Sequence, residues 1–439
     1  MTSQAAIHSK LPTLIIGGGA REHALAESLA RSQRIGDIHV THHDNPGLAS
    51  IGKHVDVPVS IGEIYRLKQY CDRHRIGLVV IGPEAPLAEG YADELASESR
   101  LVFGPRKRGA MLESDKVWAK QLMRSASIPT AEGRSFTSSE AAIGFLESRD
   151  EPHVVKASGL AAGKGVLVPT SLEEATKFVT TCLSGERFGD AGKTVLIEEM
   201  LTGPEVSVLA LVDGRSIYVL ETAQDHKRLL DADLGPNTGG MGAISPSTRI
   251  TDDDLSRIER DVLVPTVDAL KRDGIDFRGV LYAGLMLTPA GPKVLEYNVR
   301  FGDPECQAVL SRLKSDLGEA IIAACTGSLA DIDIEFDTDP SCCVVLAAEG
   351  YPEAPRSGDV IEGIESARSL DRVSVFHAGT RRDEQGRIVT AGGRVLSVVA
   401  TGSSAEAARE RAYEAAEMIT FRGKQFRTDI GATSATRVS

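Results

Sequence analysis

From Leu14 to Phe103 short, continuous apolar runs alternate with stretches of helical texture. Leu14-Ile15-Ile16 leads into a glycine run and Ala20 to Arg34 reads as helix. Ile38-His39-Val40, Leu78-Val79-Val80-Ile81 and Leu101-Val102-Phe103 read as further strands. Continuous apolar strands separated by helices predict βαβ units and a parallel sheet buried on both faces. Ligands of such sheets gather beyond the carboxyl ends of the strands, where Gly17–Gly19 and Gly82-Pro83-Glu84 both fall. Further on, the N-cap residues Ser114-Asp115 predict a helix to Ser125, and 153–168 reads as two strands around a glycine-rich turn. Strands are expected at 194–197 and 206–212, an amphipathic helix over 252–273, and a hairpin of 280–287 with 293–299 about Thr288–Gly291. After about 330 the texture changes to short strands near 342–346, 373–377 and 395–399, closed by a helix over 404–418.

Length and charge sharpen this picture. The chain has 439 residues, with Lys+Arg 49 against Asp+Glu 62 and a net charge of −13, which suits about three domains. The expected units are an N-terminal α/β domain over 12–113, a central domain over 114–328 with a subdomain at about 126–195, and a C-terminal domain over 329–430. Residues 1–11 and 431–439 read as tails. The acidic balance argues against nucleic acid or an anionic membrane as main partner. It leaves room for small anionic ligands held by local cations. No apolar run approaches a membrane span, and the N-terminus lacks the apolar core of a secretory signal. The six cysteines show no CxxC spacing, a reduced pattern that predicts a cytoplasmic protein. With no long apolar stripe or coiled-coil repeat, a monomer is expected.

Several segments carry chemistry. Gly17-Gly18-Gly19 follows a strand and opens a helix. The run admits a structural turn, a dinucleotide site or another phosphate ligand. The dinucleotide reading wants an acid about 20 residues on, and there the chain offers only the later Asp44 within Thr41–Gly47. Lys156 to Val166 (KASGLAAGKGV) fails as a P-loop, having three residues between its glycines and Gly165 after Lys164. A phosphate-binding glycine flap fits better than a purely structural loop. Gly235 to Gly242 (GPNTGGMG) reads as a binding loop and not a core element, glycine having no side chain to bury. Glu296 and Asn298 lie at i and i+2 of a strand and share a face, placing two hard oxygen donors together as Mg2+ prefers. Alone the pair would be a solvated strand face; Arg300-Phe301-Gly302-Asp303-Pro304-Glu305 adds a cation, a tight turn and more carboxylates. The chain's three asparagines, Asn45, Asn237 and Asn298, all fall inside such segments.

Together these segments resemble the ATP-grasp ligases, and within them the ligases of purine synthesis that join glycine to 5-phosphoribosylamine. The resemblance rests on GGGAREHAL (17–25), NPG (45–47), GPEAPL (82–87), KASGLAAGKGV (156–166), QDHKR (224–228), GPNTGGMGA (235–243), RFGDPE (300–305), HAGT (377–380) and GGRVL (392–396). It implies a multidomain α/β fold: a Rossmann-like N-terminal domain, an ATP-grasp domain with a flap, and a small C-terminal α+β domain. The implied reaction consumes ATP and passes through glycyl phosphate; a sister purine enzyme with another acid substrate is the alternative. The implied partners are small molecules, with Mg2+ or Mn2+ as cofactor. By resemblance Lys116, Lys156, Gly159, Gly163, Lys164 and Gly165 hold or cover the ATP phosphates, Glu198, Glu199 and Leu201 border adenine, and Glu205 binds the ribose. Glu296 and Asn298 hold the metal, and Arg300, Lys156 and Asp225 are the implied catalytic groups. Gly18, Gly19, Glu22, Asn45, Pro46, Gly47, Pro83 and Glu84 face phosphoribosylamine. Asp225, His226, Lys227, Asn237, Gly239 and Arg300 face glycine and the acyl phosphate. The chain departs from the family pattern at Ala20, Ser158, Leu234, Arg381 and Ala391, none of them an implied metal or phosphate ligand.

Overall fold

The computed structural model describes residues 10–161 and 163–432. Of the expected tails, 1–9 and 433–439 lie outside these residues, whereas Leu11 already opens the first strand. Strands Leu11–Ile16, Ile35–Val40, Lys53–His54, Leu78–Ile81 and Leu101–Phe103 pair in parallel. Their order places the third, second and first strands on one side and the fourth and fifth on the other. The chain therefore reverses direction across the sheet beside Leu11–Ile16, and the crevice at that reversal opens at Gly17–Gly19 and Gly82-Pro83. The fourth strand is buried along its whole length, as its unbroken LVVI pattern requires.

A second sheet runs in the order Ile217–Val219, Glu205–Asp213, Arg278–Thr288, Gly291–Asn298. Its last two strands form the expected hairpin, with Thr288 opposite Gly291. Apolar side chains of this sheet and of the N-terminal sheet share two continuous cores, one joining Leu14, Val79, Leu281 and Val294, the other Ile15, Val80, Leu209 and Phe301. Strands Gly133–Phe136, His153–Ala157, Val166–Leu167 and Val195–Glu199 form a separate sheet with helices Ser139–Glu147 and Leu172–Leu183. It has its own small core, including Val155, Phe178 and Ile197.

The C-terminal sheet holds Ser341–Ala347, Arg394–Thr401 and Val373–His377, with helix Ala405–Met418 packed on it. Two short strands from far upstream, Gln224–Asp225 and Gly242–Ser245, complete it, the latter pairing with Ser341–Ala347. Two expectations change here. The 235–242 segment is not all loop: Leu234–Asn237 pairs with Arg228–Leu230, and Met241 is fully buried. Glycine buries no side chain, but its backbone still ladders. The helix over 252–273 is interrupted by a π-turn at Glu259–Leu263 before Val264–Arg272, because Pro265 has no N–H to continue the ladder. No helix among the described residues is long and apolar enough to cross a membrane.

Candidate active site

Glu296 and Asn298 project from the hairpin strand Gly291–Asn298, across from Gly284 and Tyr282. Burial pushes the Glu296 carboxyl up, but Lys227, Lys156, Lys116 and Arg300 outweigh it and hold it ionised below its ordinary range. Lys227 Nζ stands 4.0 Å from this carboxylate and 3.4 Å from Glu205, which opens its strand in an exposed position. Burial works against the Lys227 ammonium, yet Glu205, Glu296, Asp225 and Glu305 raise its pKa. Lys116 sits in the first turn of helix Lys116–Ser125, capped by Asp115, and donates to the Gly159 carbonyl at 3.1 Å. Burial lowers its pKa. Ser158 is wired into the same cap: its hydroxyl donates to Asp115 Oδ1 at 2.9 Å and accepts from the Val117 N–H.

Lys156 pairs with Glu198 at 2.6 Å and donates to the Leu295 carbonyl. The other oxygen of Glu198 pairs at 2.5 Å with Lys120, which also donates to Thr130 and Ala131. Glu198 thus turns its side chain inward to two lysines, leaving its backbone at the strand. Glu199 takes Lys293 at 2.9 Å, and Leu201 lies half-buried just past the strand. Lys120 gives no motif signal; only its spacing four residues after Lys116, on the same helix face, hints at it. In the flap, Gly163 has φ +76° and open space where a side chain would stand, and Lys164 is exposed. Gly159 packs on Ala191, and Gly165 accepts from the Ala157 N–H.

Arg300 is a hub. Its guanidinium donates to Glu84 at 3.2 Å, Glu113 at 2.8 Å, Asn298 Oδ1 at 3.2 Å and the Phe301 carbonyl at 3.2 Å. Glu113 also accepts from the Val299 N–H at 2.8 Å, and burial pushes its carboxyl up despite Arg300. It belongs to no sequence motif; the packing of helix Lys107–Ser114 on the hairpin brings it here. Through Glu84 the hub reaches the N-terminal crevice.

There, Glu22 accepts from the Gly19 N–H and from Arg21, each at 2.7 Å, and Arg21 donates to the Phe301 carbonyl. A Cβ on Gly82 would lie 2.0 Å from Glu22 Oε1, so the chain's own carboxylate demands that glycine. Pro83 caps helix Glu84–Glu89 beside Gly17. Asn45 caps helix Pro46–Ile51 with its oxygen, while its amide donates to Gly18, His377 and Ala378 carbonyls. Pro46 and Gly47 are buried in that helix, Gly47 against the His23 ring. The Asn45 side chain is wholly occupied by protein groups from both ends of the chain. Asn45→Ala strips partners from buried carbonyls and a cap, and is expected to cost about 2–4 kcal/mol in urea unfolding. A loss within about 0.5 kcal/mol, the range of an ordinary surface change, would contradict the tie.

Asp225, His226 and Lys227 lie on or beside the upstream edge strand of the C-terminal sheet. Asp225 Oδ1 is buried with no hydrogen-bond partner among the described residues, and burial followed by Glu305 raises its pKa well above the ordinary aspartate value. Glu305 accepts from the Tyr282 hydroxyl, itself 2.6 Å from Ser207. Burial, then Arg427, lowers His226 to about 4, keeping it neutral. Gly240 wedges between Asp225 and Pro304, and Gly239 lies beside Arg394. Asn237 is exposed on the hairpin. The structure therefore joins Lys116, Lys156, Glu205, Lys227, Glu296, Asn298 and Arg300 in one cluster, linked to the N-terminal crevice, while Lys164 and Asn237 stand at the solvent.

The sequence matches the N domain of phosphoribosylglycinamide synthetase over residues 11–113, its ATP-grasp (A) domain over 114–306 and its C domain over 341–433. It is 48% identical to a phosphoribosylamine–glycine ligase of Rhodopirellula baltica, covering 96% of this chain and 97% of that protein. A crystal structure of phosphoribosylamine–glycine ligase from Thermotoga maritima superposes with a TM-score of 0.81 at 35% identity, covering 96% of this chain and all of that one. The fold extends further, to the biotin carboxylase domain of Hydrogenobacter thermophilus 2-oxoglutarate carboxylase, at 18% identity, TM-score 0.71, and coverage of 95% and 92%. Matched along nearly its whole length, domain by domain, the chain belongs to the phosphoribosylglycinamide synthetase family.

Proposed function

We propose that the chain ligates glycine to 5-phosphoribosylamine, forming glycinamide ribonucleotide in purine synthesis as ATP becomes ADP and phosphate. The observation that carries this is the Glu296 carboxylate, 4.0 Å from Lys227 Nζ and held ionised by Lys227, Lys156, Lys116 and Arg300, connected to a glycine-lined N-terminal crevice by Arg300 and Glu84. In this reading a glycine carboxylate oxygen attacks the γ-phosphorus and ADP leaves, giving glycyl phosphate. The amine of phosphoribosylamine then attacks the carbonyl carbon, phosphate departs and the amine gives up a proton. Little covalent help is asked of the protein; positioning and charge stabilisation carry the rate.

Lys116 and Lys156 would hold the phosphates under the 159–165 flap, the backbone of Glu198 to Leu201 would border adenine, and Glu205 would accept from the ribose hydroxyls. Gly18, Gly19 and the backbone near Asn45 would receive phosphoribosylamine, because the Asn45 side chain is already engaged. Asp225, Lys227 and Gly239 would face glycine. Glu296 and Asn298 suit Mg2+ or Mn2+: the carboxylate is kept ionised, both donors are oxygens on one strand face, and such ions complete their shells with phosphate and water. A bound metal would neutralise phosphate charge. We read the working form as a cytoplasmic monomer: all six cysteines are free, and the large exposed apolar side chains are few and spread along the chain, from Ile61 and Tyr65 to Met418.

The test is ADP release with Mg-ATP, glycine and freshly generated phosphoribosylamine, omitting each in turn. Release that needs all three is expected. Release that persists without glycine would transfer the assignment to a ligase using another acid.

A further inference from the structure

Two segments of the C-terminal sheet, His377–Thr380 and Gly392–Leu396, receive no substrate in the reading above, yet a side chain from the second contacts Gly239, which that reading sets on the glycine side. Arg394 opens strand Arg394–Thr401 and is only 22% exposed. Its guanidinium donates to the Gly239 carbonyl at 2.5 Å and to the Asp303 carbonyl at 2.7 Å, and Nη2 lies 3.1 Å from Asp303 Oδ2. These acceptors belong to two turns that come from different parts of the chain. One contains Gly239 and Gly240, where Gly240 is pressed between Asp225 Oδ1 and Pro304. The other contains Asp303, which faces Gly19: a Cβ there would stand 3.7 Å from Asp303 Oδ2. One planar fork thus sets the distance between the Asp225 side of the site and the Gly19 side. Lysine, with all its donors on one nitrogen at the end of a flexible stem, lacks the rigid two-nitrogen fork that grips the Asp303 carbonyl and carboxylate while holding Gly239.

Tyr351 forms a second jaw. Its hydroxyl accepts from the Gly239 N–H at 3.0 Å, and its ring lies so close to Gly393 that a Cβ there would sit 2.2 Å from the ring. The backbones of Gly379 and Gly392 also cross, a Cβ on Gly379 falling 2.6 Å from Gly392 Cα, which ties the two unassigned segments together. Simple adhesion between the domains needs none of this. Ala20, Ala24, Ala243, Ala308, Cys343, Phe376 and Val399 already form an apolar contact there, whereas a largely buried cation carries a desolvation cost.

We propose that Arg394 is a positioning residue of the ligase, holding the Gly239–Gly240 turn and the Asp303 turn at a fixed separation so that the acyl donor meets the amine before it meets water. The inference rests on the glycine–phosphoribosylamine reading for its kinetic part; the clamp itself is testable without it.

The experiment compares wild type with Arg394→Ala, Arg394→Lys and Tyr351→Phe in the full chain. It measures melting temperature, amide exchange over 235–242, kcat, KM for ATP, and ADP released per glycinamide ribonucleotide formed. In Arg394→Ala the Gly239 and Gly240 amides exchange faster, kcat falls about 10- to 100-fold, and KM for ATP stays within about twofold, since misplacement of reacting groups acts on the chemical step. More than one ADP is released per product, because acyl phosphate is lost to water. Arg394→Lys recovers part of the coupling, and Tyr351→Phe shows the same uncoupling more weakly. Wild-type kcat and a ratio of one in both Arg394→Ala and Tyr351→Phe would overturn the proposal. So would an Arg394→Ala loss matched by unfolding while Tyr351→Phe and Arg394→Lys stay fully coupled. If wild type itself formed no product from glycine, the ligase reading would fall, and unchanged exchange at Gly239 in Arg394→Ala would separately remove the clamp.

Discussion

Arg300→Ala is expected to lower kcat by about 10²- to 10³-fold, the usual loss when a preorganised donor to developing charge is removed. Its stability should fall as well. Arg300 and Glu113 are both largely buried, and deleting one partner of such a pair costs about 3–5 kcal/mol when the other remains charged. Glu113 has an escape, because burial already raises its carboxyl pKa and loss of Arg300 raises it further. A carboxyl whose folded pKa lies above its unfolded value binds its proton more tightly in the native state. Stability is then retained at low pH and lost as pH rises through the folded value. Relative to wild type the variant should therefore lose more melting temperature at pH 8 than at about pH 4.5, the ordinary glutamate range where its loss begins. Arg300→Lys keeps the charge but cannot span Glu84, Glu113 and Asn298, so its kcat should stay well below wild type. A kcat within about threefold of wild type in Arg300→Ala, less than 1 kcal/mol of barrier, would remove Arg300 from the reaction.

The second large effect is expected of Glu296→Ala combined with Asn298→Ala. Metal-assisted charge stabilisation is worth several kcal/mol, so turnover should drop by about 10³-fold or more. A separate readout is Mn2+ bound in the presence of ADP, followed by water-proton relaxation, which should fall to the level without protein. The fold should survive. Lys227 keeps Glu205, Asp225 and Glu305 as neighbours, and the ATP phosphates supply negative charge to Lys116 and Lys156 in the complex. KM for ATP should accordingly change less than kcat. Full activity together with unchanged Mn2+ binding would sink the metal assignment.

What the sequence disclosed follows from how local each feature is. Four strands of the N-terminal sheet were readable from their apolar runs, whereas its edge strand Lys53–His54, two exposed polar residues, was not. The 278–298 hairpin was readable because a turn of Thr288-Pro289-Ala290-Gly291 separates an apolar run from an alternating one. The shared face of Glu296 and Asn298 needed only strand periodicity. Glu113, Lys120 and Arg394 were not readable, because each gains its role from an element packed against it from elsewhere in the chain. The scarcity of asparagine did point to Asn45, but not to the helix cap and three backbone carbonyls that its side chain meets. Least visible was the pairing of Gly242–Ser245 with Ser341–Ala347, since nothing local in Gly-Ala-Ile-Ser names a strand a hundred residues away.

That pairing means a boundary between the matched ATP-grasp domain, which ends at 306, and the C domain, which begins at 341, divides the sequence but not the sheet. Cutting the chain there would strand Gly242–Ser245 with its hydrogen-bonding edge bare, an invitation to pair with another molecule. It would also take away the surface on which Asp225 and Lys227 are mounted. Shuffling the C-terminal part between relatives therefore exchanges one wall of the reaction chamber, and a chimera joined at that point would inherit a mismatch in the sheet before any in the chemistry.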